Sequence, residues 1–407
     1  MIAPMRSVAP STDEEVAQTV RECAESAGSL AVRGGNTLAA MGRPVSSPSI
    51  ELSTLALNGV IEHEARDLTC AVASGLTLAG LQAALGASGQ FVPLDAPLPK
   101  TATVGGTLAA GWLGPRRHRY SRARDFVIGT HAVLADGSLV HSGGMVVKNV
   151  SGYDMSKLYI GSFGTLGILT RVNFRTLPVP ARARAFLAAL PAGTRPRIFA
   201  HVRALDIPPA AAFLLEGFRR SVDGEDGIDG RAVIYFEGSE ALLERATRDL
   251  RSALGRAGVP DTHIVDAGAR DCFQRVVDAT IASVAERSVT YRVIGTVTHP
   301  LERAVKMRDL AHAHELFTDV LLDAMNGDVF VRVSDRDTRA FAAKIKAFDG
   351  AVHGIEPYAT IVSGNAPLRD GLAVWGEPPT SIERMRALKR RFDPERILNP
   401  GRFVGGI

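Results

Sequence analysis

Apolar residues first recur at helical spacing at Val16, Val20, Cys23 and Ala27, behind Ser11 and Thr12, which have Glu14 and Glu15 three positions on. Two overlapping capping boxes followed by one apolar stripe predict a helix, and Gly28 suits its C-terminal end. SLAVR, the next segment, reads as a short strand and runs directly into GGNT. A second strand–helix unit follows in LTCAVASG and TLAGLQAALGASG, where Leu78, Leu81 and Leu85 share a face. In FVIGTHAVLADGSLV, from Phe126 to Val140, apolar runs flank Asp136-Gly137, which predicts a β-hairpin.

The texture changes at LPVPARAR, Leu177 to Arg184, where two prolines stand one residue apart. Beyond it strand-like runs (RAFLAAL, AAFLLEG, AVIYFEG, SVTYRVIG, VLLDAMNGDVFVRV) mix with amphipathic helices (SEALLERATRDLRSALGRAG, DTRAFAAKIKAFDG). Asn326-Gly327 reads as a type I′ hairpin turn. This half is an α+β layer of antiparallel strands without the glycine density upstream. At 407 residues the chain exceeds what one core usually organises, so two domains are expected, the second interrupting the first.

Composition narrows the classes. Apolar residues at 46% and charged residues at 22% are ordinary for a soluble globular protein, and a formal charge of +4 does not argue for nucleic acid. The basic run GPRRHRYSRAR, Gly114 to Arg124, is denser. It reads either as a solvated loop or as an anion site inside a cleft, and it lacks the aromatic interleaving of a base-stacking surface. Cys23, Cys70 and Cys272 have no CxxC spacing, which excludes a cysteine-built cluster and points to buried thiols in a reducing compartment. No apolar run approaches the roughly 18–20 residues of a membrane span, and the N-terminus lacks a signal-peptide apolar region. The expected location is cytoplasmic, peripheral to the inner membrane only through a partner.

Three glycine clusters stand in the first half: AVRGGNT (31–37), TATVGGTLAAGWLGP (101–115) and GSFGTLGILT (161–170). Tight glycine turns present consecutive N–H groups that form concave anion sites, so three of them predict an extended phosphate-containing ligand. G-x-G-x-x-G between strand and helix, and G-x-x-x-x-G-K-[ST], are both absent, which argues against a dinucleotide fingerprint of that type and a P-loop. H-E-x-x-H and G-x-S-x-G are absent too, and His312 and His314, two positions apart on a helical stretch, read as surface residues.

RGGNT, TVGG with AAG downstream, RDFVIG, VVKNVSGYDMSKL, GSFGTLGILT and the terminal FDPERILNPGRF occur in the order found in FAD-linked oxidases of the vanillyl-alcohol oxidase / p-cresol methylhydroxylase type. The resemblance spans the first 180 residues and about the last 20. GPRRHRYSRARDFVIG with KNVSGYD looks most like the FAD-binding E-subunit family of bacterial glycolate oxidase. It implies an α+β fold: a two-subdomain FAD-binding domain over 1–180, an α+β cap with an antiparallel sheet over 181–385, and a tail, 386–407, returning to the FAD domain. It also implies that Arg33, Gly34, Gly35, Asn36 and Thr37, with Thr103, Val104, Gly105, Gly106 and Thr107, give backbone contacts to the pyrophosphate and ribityl chain. Gly111 and Tyr120 are expected near the flavin, and Gly161, Gly167 and Ile168 near the adenosine end or its pyrophosphate. Lys148, Asn149 and Asp154 match the family pattern without an assigned role.

Two departures shape the functional reading. Asn36 stands where many relatives carry Gly and some with covalent FAD carry His, so non-covalent FAD is expected. Related 2-hydroxy-acid dehydrogenases carry a histidine-rich metal-binding segment in the cap; its counterpart here, AMNGDVFVRV, keeps Asn326, Gly327 and Asp328 but no histidine, so no metal is expected. Oxidising a 2-hydroxy acid needs a base for the hydroxyl proton and a cation for the carboxylate. Arg116 and Arg122 are the substrate-side candidates among the arginines of the basic run, and no residue is named as the base. The reading is an FAD-binding subunit of a glycolate-oxidase-type complex, beside a sister FAD subunit that oxidises the 2-hydroxy acid and an iron–sulfur subunit that takes the electrons. The rivals are a self-sufficient FAD-dependent D-lactate or glycolate dehydrogenase, and a non-catalytic assembly subunit.

Overall fold

The computed structural model describes residues 6–45, 48–146, 152–190, 195–218, 230–259, 262–282 and 287–407. The chain divides into two compact units, one from residues 1–114, 121–179 and 378–407, the other from 115–120 and 180–377. The break after residue 179 lies inside LPVPARAR. The six-residue excursion at 115–120 has no boundary signal in the sequence, because its residues are polar and join no regular strand.

In the first unit the opening helix spans Asp13–Glu25. Thr12 Oγ1 accepts from the Glu15 N–H, and the Glu15 carboxylate accepts from the Ser11 N–H, which satisfies the donors left open at a helix start. Its buried face, Val16, Val20 and Cys23, packs on Leu30, Ile50, Leu52, Val133, Ile168 and Leu398. Strands β1 (Arg6–Val8), β2 (Leu30–Arg33) and β3 (Ile50–Ser53) form a parallel sheet in the order β1-β3-β2. Five antiparallel strands, β4 (Val60–Glu64), β5 (Thr69–Ala73), β7 (Val127–Val133), β8 (Leu139–Gly143) and β9 (Ile168–Arg175), form a second sheet in the order β4-β5-β9-β7-β8. The turn between β7 and β8 holds Asp136, whose carboxylate accepts from Ser138 N–H, and Gly137 at φ +77°.

The second unit is built on one antiparallel sheet of eight strands. Labelled in chain order after the pair β6 (Gln90–Phe91) and β10 (Leu177–Pro178), they are β11 (Arg182–Leu190), β12 (Ala211–Glu216), β13 (Gly230–Gly238), β14 (His263–Val265), β15 (Ser288–Val293), β16 (Phe317–Asp323), β17 (Asp328–Ser334) and β18 (Thr360–Gly364). Their order is β14-β11-β13-β12-β16-β17-β15-β18. Helices Glu240–Arg256 and Thr338–Ile355 start at Ser239 and Asp337, whose side chains accept from the first-turn N–H groups, and they bury Leu243, Leu250, Phe341 and Phe348 in the sheet's core. The hairpin at Asn326-Gly327 forms, but its turn is not type I′. Four residues, 324–327, join β16 to β17, and only Gly327 has positive φ, because the Asp323 side chain accepts from Met325 and Asn326 N–H and holds the loop open.

Candidate functional site

Within the first unit, turns far apart in sequence close on one another. β2 ends at Arg33 and opens into the RGGNT turn, where Asn36 takes φ +59°, a conformation asparagine tolerates better than most residues. A Cβ on Gly35 would stand 1.7 Å from the Thr101 carbonyl oxygen, and one on Gly34 would stand 2.3 Å from Thr103 Oγ1. Thr103 caps the short helix Val104–Ala109 by accepting from Gly106 N–H, and Gly105 N–H donates to the Ser74 carbonyl at 2.7 Å. Past this helix Gly111, at φ +62°, has room for no Cβ because Gly161 Cα would be 2.9 Å away. Gly161 and Phe163 N–H donate to the Leu108 and Ala109 carbonyls. These glycines let one turn pack on the next: Gly35 and Gly105 lack positive φ, and the atoms that a Cβ would meet there are protein.

The turns enclose a pocket of ≈ 80 Å³ lined by residues 32–39, by Thr103, Gly106, Thr107, Ala109 and Ala110, and by Phe163 and Arg402. Its lining, all among the described residues, holds two cations, Arg33 and Arg402, and no carboxylate. Arg33 Nε lies 3.0 Å from Glu51. Thr107 is 4% exposed and its Oγ1 meets no partner. Among the described residues, the N–H groups of Gly35, Asn36 and Thr37 meet no protein acceptor. Turn amides, a hydroxyl and an excess of positive charge together suit a phosphate-bearing ligand. At about 10–15 Å³ per water-sized site, the volume admits a group of roughly diphosphate size, one part of an extended ligand.

The C-terminal tail completes this pocket. Asn399 Oδ1 accepts from Val32 N–H at 2.8 Å, while Nδ2 donates to the Phe163 carbonyl at 2.8 Å. Lys389 Nζ, buried, donates to the Thr165 and Leu398 carbonyls and to Asp393, whose carboxylate also accepts from Ile397 and Leu398 N–H. Burial pushes the Lys389 ammonium below its ordinary range, and Asp393 opposes that. Arg402 Nη1 donates to the Arg43 carbonyl, and its guanidinium lies 5.9 Å from the Phe163 ring centre. The FDPERILNPGRF motif signals that the tail returns, but nothing local singles out Asn399 or Arg402.

The remaining expected residues fall elsewhere. Val104 and Gly105 are buried beside the pocket, and Gly111 and Gly161 pack on each other. Gly167 lies under the Tyr159 ring and Ile168 belongs to the core, so neither lines the pocket. Lys148 and Asn149 lie outside the described residues; Asp154 pairs with Lys157 at 3.0 Å at the surface. Arg122 is exposed on the first unit, and its N–H donates to Asp125.

Arg116 and Tyr120 belong to the second unit. Arg116 Nη1 donates to the buried Glu237 carboxylate at 3.0 Å, to which Tyr235 also donates. Arg117 reaches Asp328 at 2.7 Å and Asp323 at 3.7 Å, and buried Arg292 takes the other Asp328 oxygen at 2.6 Å. Asn326 Nδ2 donates to Asp323 and to the Pro115 carbonyl. Burial, then the neighbouring Asp328, pushes the Asp323 carboxyl up to about 7, against the pull of Arg117 and Asn326. Burial, then Glu237, likewise raises the Tyr120 phenol to about 12. The segment proposed for substrate arginines is thus an ion-paired strap: the carboxylates of the histidine-free hairpin are neutralised by guanidinium. Among the described residues no group of three or more His, Cys, Asp or Glu is arranged to hold a metal ion.

Residues 4–143 match the family model described as an FAD binding domain. The chain is 38% identical over 152 residues to "Glycolate oxidase subunit GlcE" of Escherichia coli (strain K12), an alignment spanning 37% of this chain and only 43% of that protein. It is 25% identical to "Glycolate oxidase subunit GlcD" of Bacillus subtilis (strain 168) over 98% of this chain and 89% of that one. Among solved structures, p-cresol methylhydroxylase with substrate bound superposes with a TM-score of 0.72 at 16% identity, over 97% of this chain and 88% of that one, a likeness of fold.

Proposed function

This chain carries the FAD binding domain and the fold of an FAD-linked oxidoreductase of the p-cresol methylhydroxylase type, and from that premise we propose that it is the FAD-binding subunit of a glycolate-oxidase-type complex oxidising a small 2-hydroxy acid. The pocket fits the dinucleotide by charge and by donors. The Gly35, Asn36 and Thr37 amides and the Thr107 hydroxyl would hold the phosphates, and the tail residues Asn399 and Lys389 fix the turns around them. Bound FAD would supply a two-electron redox centre in this subunit. Asn36 offers no imidazole for a covalent link, which supports non-covalent binding.

One observation carries the subunit reading over a self-sufficient dehydrogenase. Asp323 and Asp328, at the hairpin that lacks histidine, are taken up by Arg117 and Arg292, and Arg116 is taken up by Glu237. Among the described residues, the carboxylates and guanidinium groups named at that hairpin are therefore committed to one another. A sister FAD subunit would carry out the oxidation, and an iron–sulfur subunit would accept the electrons that three buried, scattered cysteines cannot relay.

The test is turnover of glycolate and D-lactate with a dye acceptor, using the FAD-saturated chain alone and then co-expressed with a sister flavoprotein and an iron–sulfur subunit. Flavin without turnover alone, and activity on co-expression, is the expected result. Robust turnover by the chain alone would install the self-sufficient dehydrogenase instead. Absence of flavin under all conditions would leave only an assembly role.

A further inference from the structure

The lining of the pocket includes a residue from the C-terminal tail, Arg402. Of the two cations lining it, Arg33 pairs with Glu51 at 3.0 Å, and Arg402, whose Nη1 donates to the Arg43 carbonyl, arrives from the tail beside the turn amides of residues 35–37 and the unpartnered Thr107 hydroxyl. The tail is not loosely placed. Asn399 hydrogen-bonds Val32, at the root of the glycine turn, and Phe163, on the pocket wall, and Phe163 and Phe403 stack with ring centres 5.5 Å apart. A guanidinium presents planar paired donors that match a phosphate, and on a fixed backbone less side-chain freedom is lost in using them.

We propose that the Arg402 guanidinium and the Thr107 hydroxyl are the side-chain half of a diphosphate subsite, so that the C-terminal tail recognises the charged centre of the dinucleotide. This rests on the reading that the pocket takes FAD, and it extends that reading from backbone turns to a tail residue. Binding and tail docking are then linked. The phosphates hold Arg402, and Arg402 holds the segment whose Asn399 sets the distance between β2 and the Phe163 loop.

The test titrates flavin-stripped full-length protein with FAD and with riboflavin, which shares the ring and ribityl chain but carries no phosphate, following fluorescence quenching. Arg402→Ala should raise the FAD Kd by about tenfold or more, as loss of a charge-assisted bond does, and leave the riboflavin Kd within about twofold. Arg402→Lys should fall between, since it keeps the charge and loses the fork. Thr107→Val should weaken FAD several-fold and spare riboflavin. An unchanged FAD Kd, or equal losses for both ligands, would overturn the proposal. If Arg402→Ala does not fold, Arg402→Lys and Thr107→Val decide by the same comparison. Wild-type protein that binds riboflavin and FAD equally would sink the diphosphate subsite while sparing the flavin reading; protein that binds neither would sink both.

Discussion

At the scale of single residues, Gly35 separates packing from ligand contact. Its missing Cβ makes room for the Thr101 carbonyl, and no positive φ is involved. Gly35→Ala should therefore destabilise the first unit by about 1–3 kcal/mol, the usual range for overpacking. Equilibrium unfolding should give the same loss in flavin-free and FAD-saturated protein. A loss confined to the FAD-bound form would mean that the side chain meets the ligand instead. The contrast lies in what sequence can carry. That RGGNT needs glycine is legible from the residues, but the identity of the neighbour, a carbonyl some sixty positions on, is set by how two turns pack. Asn399 is a sharper case. Its two side-chain hydrogen bonds reach across 367 and 236 residues, and no local pattern encodes either.

At the scale of elements, local chemistry was enough wherever the element closes on itself. The Thr12–Glu15 cap and the Asp136-Gly137 turn satisfy their own backbone groups within a few residues, so their sequence signals are complete. The β16–β17 loop is different because Asp323 answers to Asp328, Arg117 and Asn326 together. With its folded value held up to about 7 against an ordinary 3.8, Asp323 binds a proton in the folded chain that the unfolded chain releases. Its contribution is whole below the lower value and is lost as pH rises through the higher one. Asp323→Asn cannot ionise there. Urea unfolding at pH 5 and pH 8 should show wild-type losing more stability between the two than the variant, and equal losses would remove Asp323 as the source.

For the whole molecule, the flavin reading requires that every bond to FAD be breakable. Acid or denaturant should leave colourless protein and release all flavin to the supernatant; flavin retained on denatured chain would refute the inference from Asn36. Among the described residues no helix is long and apolar enough to cross a membrane. The path of the chain has a consequence of another kind. Residues 115–120 leave the first unit, supply Arg116 and Arg117 to the buried carboxylates of Glu237, Asp323 and Asp328, and return. A cap excised at residues 180–377 would thus lose the Arg116 and Arg117 guanidinium groups from Glu237 and Asp323, while Asp328 would keep Arg292, although no strand of its sheet would be cut. Its missing piece is a hexapeptide, PRRHRY, which in the intact chain includes the helical turn Arg117–Tyr120 and to the excised cap would be a ligand.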